Sequence, residues 1–261
     1  MKLKDKVAIV VGGGSGIGRA SATLMAQEGA KVMIADLVIE NANKVANNIK
    51  AAGGEVSTIK VDMTKEEEVN GMVRVTLEKY GKIDILANVA GGSMGPNIRD
   101  SLGPFAESTK EMWDRIIDIN LNGARNCTRA VINHMMERGS GKIVCFSSIA
   151  GVQGLRNGAD YSAAKAGIIG FTKALAQEMS PYGIQVNCVA PSGVYSERMQ
   201  AFATRPRGGG EQQEQKPGFG PGMDISRFAL PEEVAGMVLF LVSDDSNHMS
   251  GQTITITGAG N

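Results

Sequence analysis

Short apolar runs alternate with longer amphipathic stretches along almost the whole chain. Seven runs rich in valine and isoleucine predict β-strands, and they cover residues 7–11, 31–35, 56–61, 83–87, 142–146, 184–189 and 253–257. Between them, apolar positions recur with helical period over residues 17–28, 39–52, 66–80, 110–138, 158–179 and 232–242. This alternation predicts βαβ units and a parallel sheet with helices on both faces. We therefore predict one α/β domain over residues 1–261, with a doubly wound, seven-stranded parallel sheet.

The composition excludes several classes of protein. Lysine plus arginine and aspartate plus glutamate number 27 each, so we expect no nucleic acid partner bound through charge. No apolar run reaches the length of a membrane span, so we expect no membrane partner. The three cysteines lie far apart, and the two histidines have no partner at metal-ligand spacing. We therefore expect reduced thiols, a cytoplasmic location and no metal site.

A glycine-rich turn follows the first predicted strand and opens the first predicted helix. Its sequence is Gly12-Gly-Gly-Ser-Gly16-Ile-Gly18. Glycines here allow a tight turn, let backbone N–H groups approach a pyrophosphate, and let the helix pack closely on its strand. A plain turn is the alternative, but the position between strand and helix favours a Rossmann-type dinucleotide site. The candidate cofactor contacts in this turn are Gly12, Ser15, Gly16, Ile17 and Gly18.

The second strand leads into Asp36, which is a candidate for the acid that binds the adenine ribose. It follows Gly18 at close to the spacing of about 20 residues expected for that acid. A carboxylate accepts hydrogen bonds from both ribose hydroxyls and repels a 2′-phosphate, and the next residue, Leu37, is not a base. We therefore predict NAD rather than NADP. Asp36 as a helix N-cap is the alternative, and Arg19, a base beside the turn, is the residue that would favour a phosphate.

Further candidates for cofactor contacts follow the later strands. Asp62 could accept a hydrogen bond from the adenine amino group, or it could cap the helix that follows. Small residues after the fourth strand would let a flat ring lie against the strand ends, with a generic turn as the alternative. The other candidates are Met63, Asn88, Ala90, Gly91, Pro191, Gly193 and Val194.

Tyr161 and Lys165 form a pair with clear chemical potential. If their segment is helical, a spacing of four residues puts both on one face, one turn apart. The pKa of a phenol is about 10 in water, and a neighbouring ammonium lowers it by favouring the phenolate. The pair could therefore pass a proton to or from a substrate oxygen near neutral pH. Two ordinary residues on an exposed helix are the alternative.

Together these residues resemble the short-chain dehydrogenase/reductase family from Lys4 to about Gly258. The resemblance rests on motifs in register: Gly12-x-x-x-Gly16-x-Gly18, Asp36, Asp62, Asn88-x-Ala90-Gly91, Asn120, Ser148, Tyr161-x-x-x-Lys165 and Asn187-x-Val189-x-Pro191. It implies a homotetrameric oxidoreductase that transfers a hydride between NAD(H) and a secondary alcohol or ketone. One alternative is a 3-oxoacyl-carrier or CoA reductase, a role that usually goes with NADP. Another is a non-catalytic dinucleotide-binding scaffold on the same fold.

The resemblance also implies roles for four residues. Tyr161 is the general acid/base on the substrate oxygen, and Lys165 lowers the pKa of Tyr161 and binds the nicotinamide ribose. Ser148 orients the reacting carbonyl or alcohol. Asn120 holds a water that links Lys165 to solvent as a proton path.

Two irregular stretches are expected to recognise the substrate. Residues 92–108 form a long loop, and the corresponding stretch of the family makes residues 196–226 a predicted lid. The candidate substrate contacts are Ser148, Gln153, Leu155, Tyr161 and Tyr195. Five arginines are either solvated surface or a site for a carboxylate, phosphate or acyl-CoA; they are Arg99, Arg198, Arg205 and Arg207 in these stretches, and Arg156 outside them.

Overall fold

The computed structural model describes residues 1–93, 102–197 and 228–258, and within them the chain forms one parallel sheet. Its strands are β1 (Val7–Val11), β2 (Lys31–Asp36), β3 (Val56–Lys60), β4 (Ile85–Asn88), β5 (Gly141–Phe146), β6 (Ile184–Pro191) and β7 (Thr253–Ile256). The strand order is β3-β2-β1-β4-β5-β6-β7, and every neighbouring pair is parallel. The predicted doubly wound α/β fold with seven strands is therefore confirmed.

Helices cover both faces of this sheet. They are α1 (Gly16–Gln27), α2 (Ile39–Ala51), α3 (Glu66–Tyr80), α4 (Lys110–Ile117), α5 (Gly123–Arg138), α6 (Ile149–Gln153), α7 (Ala159–Met179) and α8 (Pro231–Val242). Side chains of β1 alternate between two apolar cores. Ile9 and Val11 pack with α3, α5 and α7, whereas Ala8 and Val10 pack with α1, α2 and α8. Because both faces are buried, the strand reads as a continuous apolar run.

The predicted single helix over residues 110–138 needs a correction. A π-helical turn at Asp118–Asn122 separates α4 from α5. Within it, Asn120 Nδ2 donates to Ile116 O at 3.0 Å and to Gly92 O at 3.0 Å. The side chain thus bonds the carbonyl that a regular helix offers to the Asn120 amide, and a side chain that enters the ladder in this way distorts it. The short helix α6 was not predicted, because five residues are too few to show a period.

The carboxyl ends of the parallel strands meet at one edge of the sheet, where ligands bind in doubly wound folds. The strand order reverses between β1 and β4. There Val11 O accepts hydrogen bonds from the amides of Val89 at 3.0 Å and Ala90 at 2.9 Å. These two bonds join the glycine-rich turn to the residues after β4. The predicted cofactor contacts of both segments therefore lie side by side.

Asp84 anchors the opposite edge of the sheet, where β1 and β4 begin. Its side chain is 8% exposed; Arg138 donates to Oδ1 at 3.1 Å, and Lys82 Nζ lies 3.0 Å from Oδ2. Oδ2 also accepts the Val7 amide at 2.8 Å. One carboxylate thus ties the start of β1 to the end of α5.

We expect Asp84→Ala to lower the free energy of unfolding by about 3 kcal/mol, because it leaves a buried amide and Arg138 without their acceptor. Asp114→Ala is the control, since Asp114 pairs with Lys110 on an exposed helix surface. Its effect should be much smaller. Urea denaturation of both variants and the parent measures the difference, and equal losses would contradict this role for Asp84.

Candidate functional site

Tyr161 and Lys165 lie one turn apart in α7, as the spacing predicted. Lys165 Nζ is 5.7 Å from the centroid of the Tyr161 ring. Tyr161 lies in the first turn of the helix and is partly exposed, whereas Lys165 is only 3% exposed. Burying the Lys165 ammonium beside this partly exposed tyrosine is unfavourable unless other groups replace the hydrogen bonds that the ammonium would make to water.

Two residues at the end of β5 bind Lys165, one through its side chain and one through its backbone. Its Nζ donates to Phe146 O at 2.8 Å, and Ser147 Oγ donates to Lys165 O at 2.7 Å. Ser147 is itself fixed, since its amide donates to Val189 O on β6 at 2.9 Å. The side chain and the backbone of Lys165 are therefore both anchored to the central sheet by hydrogen bonds.

Ser148 is the N-cap of α6, and its Oγ accepts a hydrogen bond from the Ala150 amide at 3.2 Å. A hydroxyl has one donor and two acceptor positions, so this cap uses an acceptor and leaves the proton to donate to a ligand. α6 packs tightly on α7 at Gly151. A Cβ on Gly151 would stand 2.6 Å from the backbone carbon of Lys165 and 2.8 Å from the Ala166 amide. The close contact of Gly151 with α7, which only glycine permits, thus fixes α6 and its N-cap Ser148 relative to Lys165.

The side chain of Asn120 lies near the Lys165 ammonium at the end of β4. Besides its two donated bonds, Asn120 Oδ1 accepts the Gly92 amide at 2.8 Å. A Cβ on Gly91 would stand 2.6 Å from Asn120 Oδ1 and 3.2 Å from Lys165 Nζ. Asn120 and Lys165 therefore flank Gly91 at the end of β4. Both protons of the Asn120 amide are used, so a water bound by this side chain would have to donate to Oδ1.

The glycine-rich turn fits a dinucleotide phosphate. Gly12 has φ +79°, and a Cβ there would stand 2.8 Å from the Ala90 backbone. A Cβ on Gly18 would stand 2.0 Å from Gly12 O. These contacts bring the N-terminus of α1 directly against the turn. The Gly16 amide donates to a carboxylate oxygen of Glu197 at 2.9 Å, which shows that this helix terminus accepts an anion. Ser15 is the N-cap of α1 and makes no side-chain cap bond.

Asp36 faces the glycine-rich turn rather than capping a helix. Its Oδ2 accepts the Gly14 amide at 2.8 Å, and its Oδ1 accepts the Val38 amide at 2.9 Å. Val38 is the N-cap of α2, so the alternative reading of Asp36 as that cap does not hold. Each carboxylate oxygen retains acceptor capacity, so Asp36 can still bind ribose hydroxyls.

Asp62 and Met63 follow β3 on the same edge. Asp62 Oδ1 accepts the Thr64 amide at 3.0 Å and the Thr64 hydroxyl at 2.7 Å, while the N-cap of α3 is Lys65. Asp62 therefore closes a local turn, with its second oxygen available to a ligand. The side chain of Met63 is buried over Gly123, so a cofactor contact at Met63 would use its backbone.

Asn88 braces the sheet. Its Nδ2 donates to Thr128 Oγ1 at 3.0 Å and to Ala124 O at 3.3 Å, both on α5. Asn88 is the register partner of Cys145 on β5.

Burial raises the pKa of Cys145 and of Cys127 to about 12, and that of Cys188 to about 11. These thiols are therefore protonated and unsuited to nucleophilic chemistry.

The segment after β6 is held by residues that return to it from further along the chain. Ser192, directly after Pro191, donates its amide to Ile256 O at 3.0 Å, and Gly193 O accepts the Ala229 amide at 3.1 Å. Val194 bridges to Ala229. This pairing keeps the predicted contacts Pro191, Gly193 and Val194 at the carboxyl edge of the sheet.

The candidate substrate residues are less closely defined. Gln153 is exposed at the end of α6, and Tyr195 is 47% exposed. Leu155 lies between α6 and α7, and its amide donates to Ser162 Oγ at 2.9 Å. Arg156 is exposed. Arg99, Arg198, Arg205 and Arg207 lie outside the described residues, as does the predicted lid beyond residue 197.

Several residues that shape the site had no signal of their own in the sequence. Ser147 and Gly151 sit beside a predicted residue, Ser148, but their contacts with α7 depend on how the elements pack on one another.

Within the described ranges, no group of three or more His, Cys, Asp and Glu side chains could hold a metal ion. None of the helices in those ranges has the length and hydropathy that a membrane span requires.

Comparison with known proteins places these features in a family. The family model described as short chain dehydrogenase matches residues 6–206. The 3-oxoacyl-[acyl-carrier-protein] reductase of Thermotoga maritima is 35% identical over 258 residues, which cover 99% of this chain and 98% of that protein. The cyclohexanol dehydrogenase of Acinetobacter sp. is 34% identical, over 99% of this chain and 96% of that protein. The crystal structure of levodione reductase superposes with a TM-score of 0.84 at 29% identity and covers 98% of this chain and 97% of its own.

We expect Gly151→Ala to lower the free energy of unfolding by about 1–3 kcal/mol, because the added methyl group meets the backbone of α7. Gly236→Ala in α8 is the matched control, since a Cβ at Gly236 has nothing within 4 Å. That variant should gain about 0.5–1 kcal/mol from the better helix former. Denaturant unfolding of the two variants should therefore give changes of opposite sign, and a neutral Gly151→Ala would refute the tight contact.

Proposed function

The chain belongs to the short-chain dehydrogenase family of oxidoreductases, and from this premise we propose that it transfers a hydride between NAD(H) and a secondary alcohol or ketone. The observation that carries the proposal is the buried Lys165, held by Phe146 and Ser147 beside the ring of Tyr161. The capped Ser148 and the glycine-rich turn open onto the same edge of the sheet. Enzymes of this family use a nicotinamide dinucleotide, and the turn after β1 offers backbone N–H donors at a helix N-terminus, the kind of group that binds phosphate.

In the direction of alcohol oxidation, the Tyr161 phenolate accepts the hydroxyl proton of the substrate. Lys165 favours that phenolate through its positive charge. The Ser148 hydroxyl donates to the substrate oxygen and orients it toward Tyr161. Asn120 lies near Lys165, and a water on its Oδ1 would carry the proton onward. The redox chemistry would be supplied by a bound nicotinamide, as the acceptor of the hydride from the alcohol carbon or, in reduction, as its donor.

NAD is favoured by the charges around the adenine ribose site. Asp36 presents a carboxylate there, and the neighbouring Leu37 and Val38 are apolar. Arg19, the base that could have favoured a 2′-phosphate, is already paired with Glu197 at 3.0 Å and with Glu232 at 3.2 Å. A 2′-phosphate would therefore meet the negative charge of Asp36, while Arg19 stays paired with Glu232 through its Nη2.

Reduction of a 3-oxoacyl thioester is the second candidate, and the name of the Thermotoga maritima relative supports it. The name of the Acinetobacter relative supports a cyclic secondary alcohol instead. Both substrates present a carbon that carries a hydroxyl or an oxo group, and both would use Tyr161 and Ser148 alike. Asp36 favours the first proposal. We also propose a homotetramer, on the family resemblance, and a cytoplasmic location, on the reduced thiols that the sequence predicts.

We expect Tyr161→Phe to lower kcat by at least about 100-fold, the scale of losing a general acid/base. NADH binding should be retained, because the ring remains. Tyr182→Phe is the control, since Tyr182 lies in an exposed turn after α7. Initial rates and NADH fluorescence titration measure both quantities. Unchanged turnover in Tyr161→Phe would contradict the role of Tyr161 as general acid/base.

We expect Asp36→Ala to lower kcat/KM for NAD by about 10-fold or more, through the loss of charged hydrogen bonds to the ribose, and to shift preference toward NADP. Asp36→Asn keeps an oxygen for the Gly14 amide and separates the loss of charge from disturbance of the turn. Glu40→Ala, in the first turn of α2, controls for a general change in charge. Equal or better use of NADP by the parent enzyme would contradict the cofactor assignment.

A further inference from the structure

The turn that should receive the pyrophosphate already holds an anion, and that anion belongs to the chain itself. The Gly16 amide donates to Glu197 Oε2 at 2.9 Å, and Arg19 Nε donates to Glu197 Oε1 at 3.0 Å. The two oxygens of one carboxylate thus use a backbone N–H of the first turn of α1 and a guanidinium on the same turn. A Cβ on Gly16 would stand 3.3 Å from the Ser196 Cβ, so the backbone before Glu197 also approaches the turn closely.

This donor set is the one that a phosphate oxygen uses. Amides at a helix N-terminus and a guanidinium bind carboxylates and phosphates through the same charge-assisted hydrogen bonds. Partial burial raises the pKa of Glu197, but the backbone amides of Glu197 and Gly16 and the Arg19 guanidinium together lower it below its ordinary value. Glu197 is therefore ionised at neutral pH and carries the charge that the pyrophosphate would bring.

We propose that Glu197 is an internal competitor of the cofactor, whose carboxylate must leave the Gly16 amide before the pyrophosphate can bind there. This inference rests on the proposed function, because it takes the turn of α1 as the cofactor site. Glu197 weakens dinucleotide binding in two ways. It occupies a donor in the free enzyme, and its negative charge repels the incoming phosphates.

Only the residues after Tyr195 need to move for the Glu197 carboxylate to leave the Gly16 amide. Tyr195 donates its amide to Ala229 O at 2.9 Å, and Val194 bridges to Ala229, so the chain is paired up to residue 195. Glu232 holds the other end of the guanidinium, with its Oε1 3.2 Å from Arg19 Nη2. Arg19 therefore keeps one partner when Glu197 leaves, and its Nε is released toward the phosphate.

The test compares Glu197→Gln with the parent and with Glu232→Gln, in the full chain. Both variants remove a carboxylate charge beside Arg19, but only Glu197 bonds an amide of the turn. Dissociation constants are measured by calorimetry for NAD⁺, for ADP-ribose and for adenosine, which lacks the pyrophosphate. Glu197→Gln should bind NAD⁺ and ADP-ribose about three- to tenfold more tightly, the scale of one charge at a helix N-terminus. Its affinity for adenosine should change by less than about twofold, as should every constant of Glu232→Gln.

The outcomes separate this inference from the proposed function. A parent enzyme that binds NAD⁺ and a Glu197→Gln variant that binds it equally or less tightly would overturn the competition and leave the function standing. A gain for adenosine equal to that for ADP-ribose would also overturn it, because the effect would not involve the pyrophosphate. A parent that binds neither NAD⁺ nor ADP-ribose would overturn both claims. Glu197→Ala, which removes the competing group entirely, should gain at least as much as Glu197→Gln.

Discussion

The site depends on keeping one ammonium group out of water. Lys165 is 3% exposed, and a buried charge is unfavourable unless its bonds to water are replaced. The carbonyl of Phe146 accepts one hydrogen bond from the ammonium, and the hydroxyl of Ser147 donates to the backbone carbonyl of Lys165. Gly91 and Gly151 leave the space that the lysine and its helix need. The end of β5, the end of β4 and α6 are therefore arranged around a single side chain.

That arrangement links the fold to the proposed chemistry. The ammonium lies near both Tyr161 and Asn120, at the edge where the parallel strands end. The glycine-rich turn lies on the same edge, and Asp36 is bonded to it through Gly14. The proposed competition by Glu197 would give the turn a property that a rigid cofactor site lacks, because the carboxylate already bonds the Gly16 amide. The proposed proton transfer depends on a lysine held by the core, whereas the proposed cofactor binding depends on a contact that must exchange.

Hydrophobic period was sufficient to place most of the fold. The bounds of β1 and α3 agree residue by residue with the prediction. β1 is a continuous apolar run between Lys6 and Gly12, and α3 has a helical period and ends before Gly81. The π-helical turn at Asn120 could not be predicted, since it depends on the backbone of Gly92 across the fold. The contact between Glu197 and Gly16 joins residues 181 positions apart and follows from tertiary structure alone. Motifs therefore predicted Ser148, Tyr161 and Lys165 as site residues, whereas the residues that hold Lys165 in place emerged only from packing.

The central claim is that this edge of the sheet transfers a hydride between NAD(H) and a secondary alcohol or ketone. The most direct measurement follows the absorbance of reduced nicotinamide while the enzyme is supplied with NAD⁺ or NADP⁺ and a panel of secondary alcohols. The panel includes cyclic alcohols and 3-hydroxyacyl thioesters. The account predicts formation of NADH with at least one member of the panel, and faster turnover with NAD⁺ than with NADP⁺. Absence of reduced nicotinamide with every alcohol and both dinucleotides, or turnover with NADP⁺ alone, would contradict it.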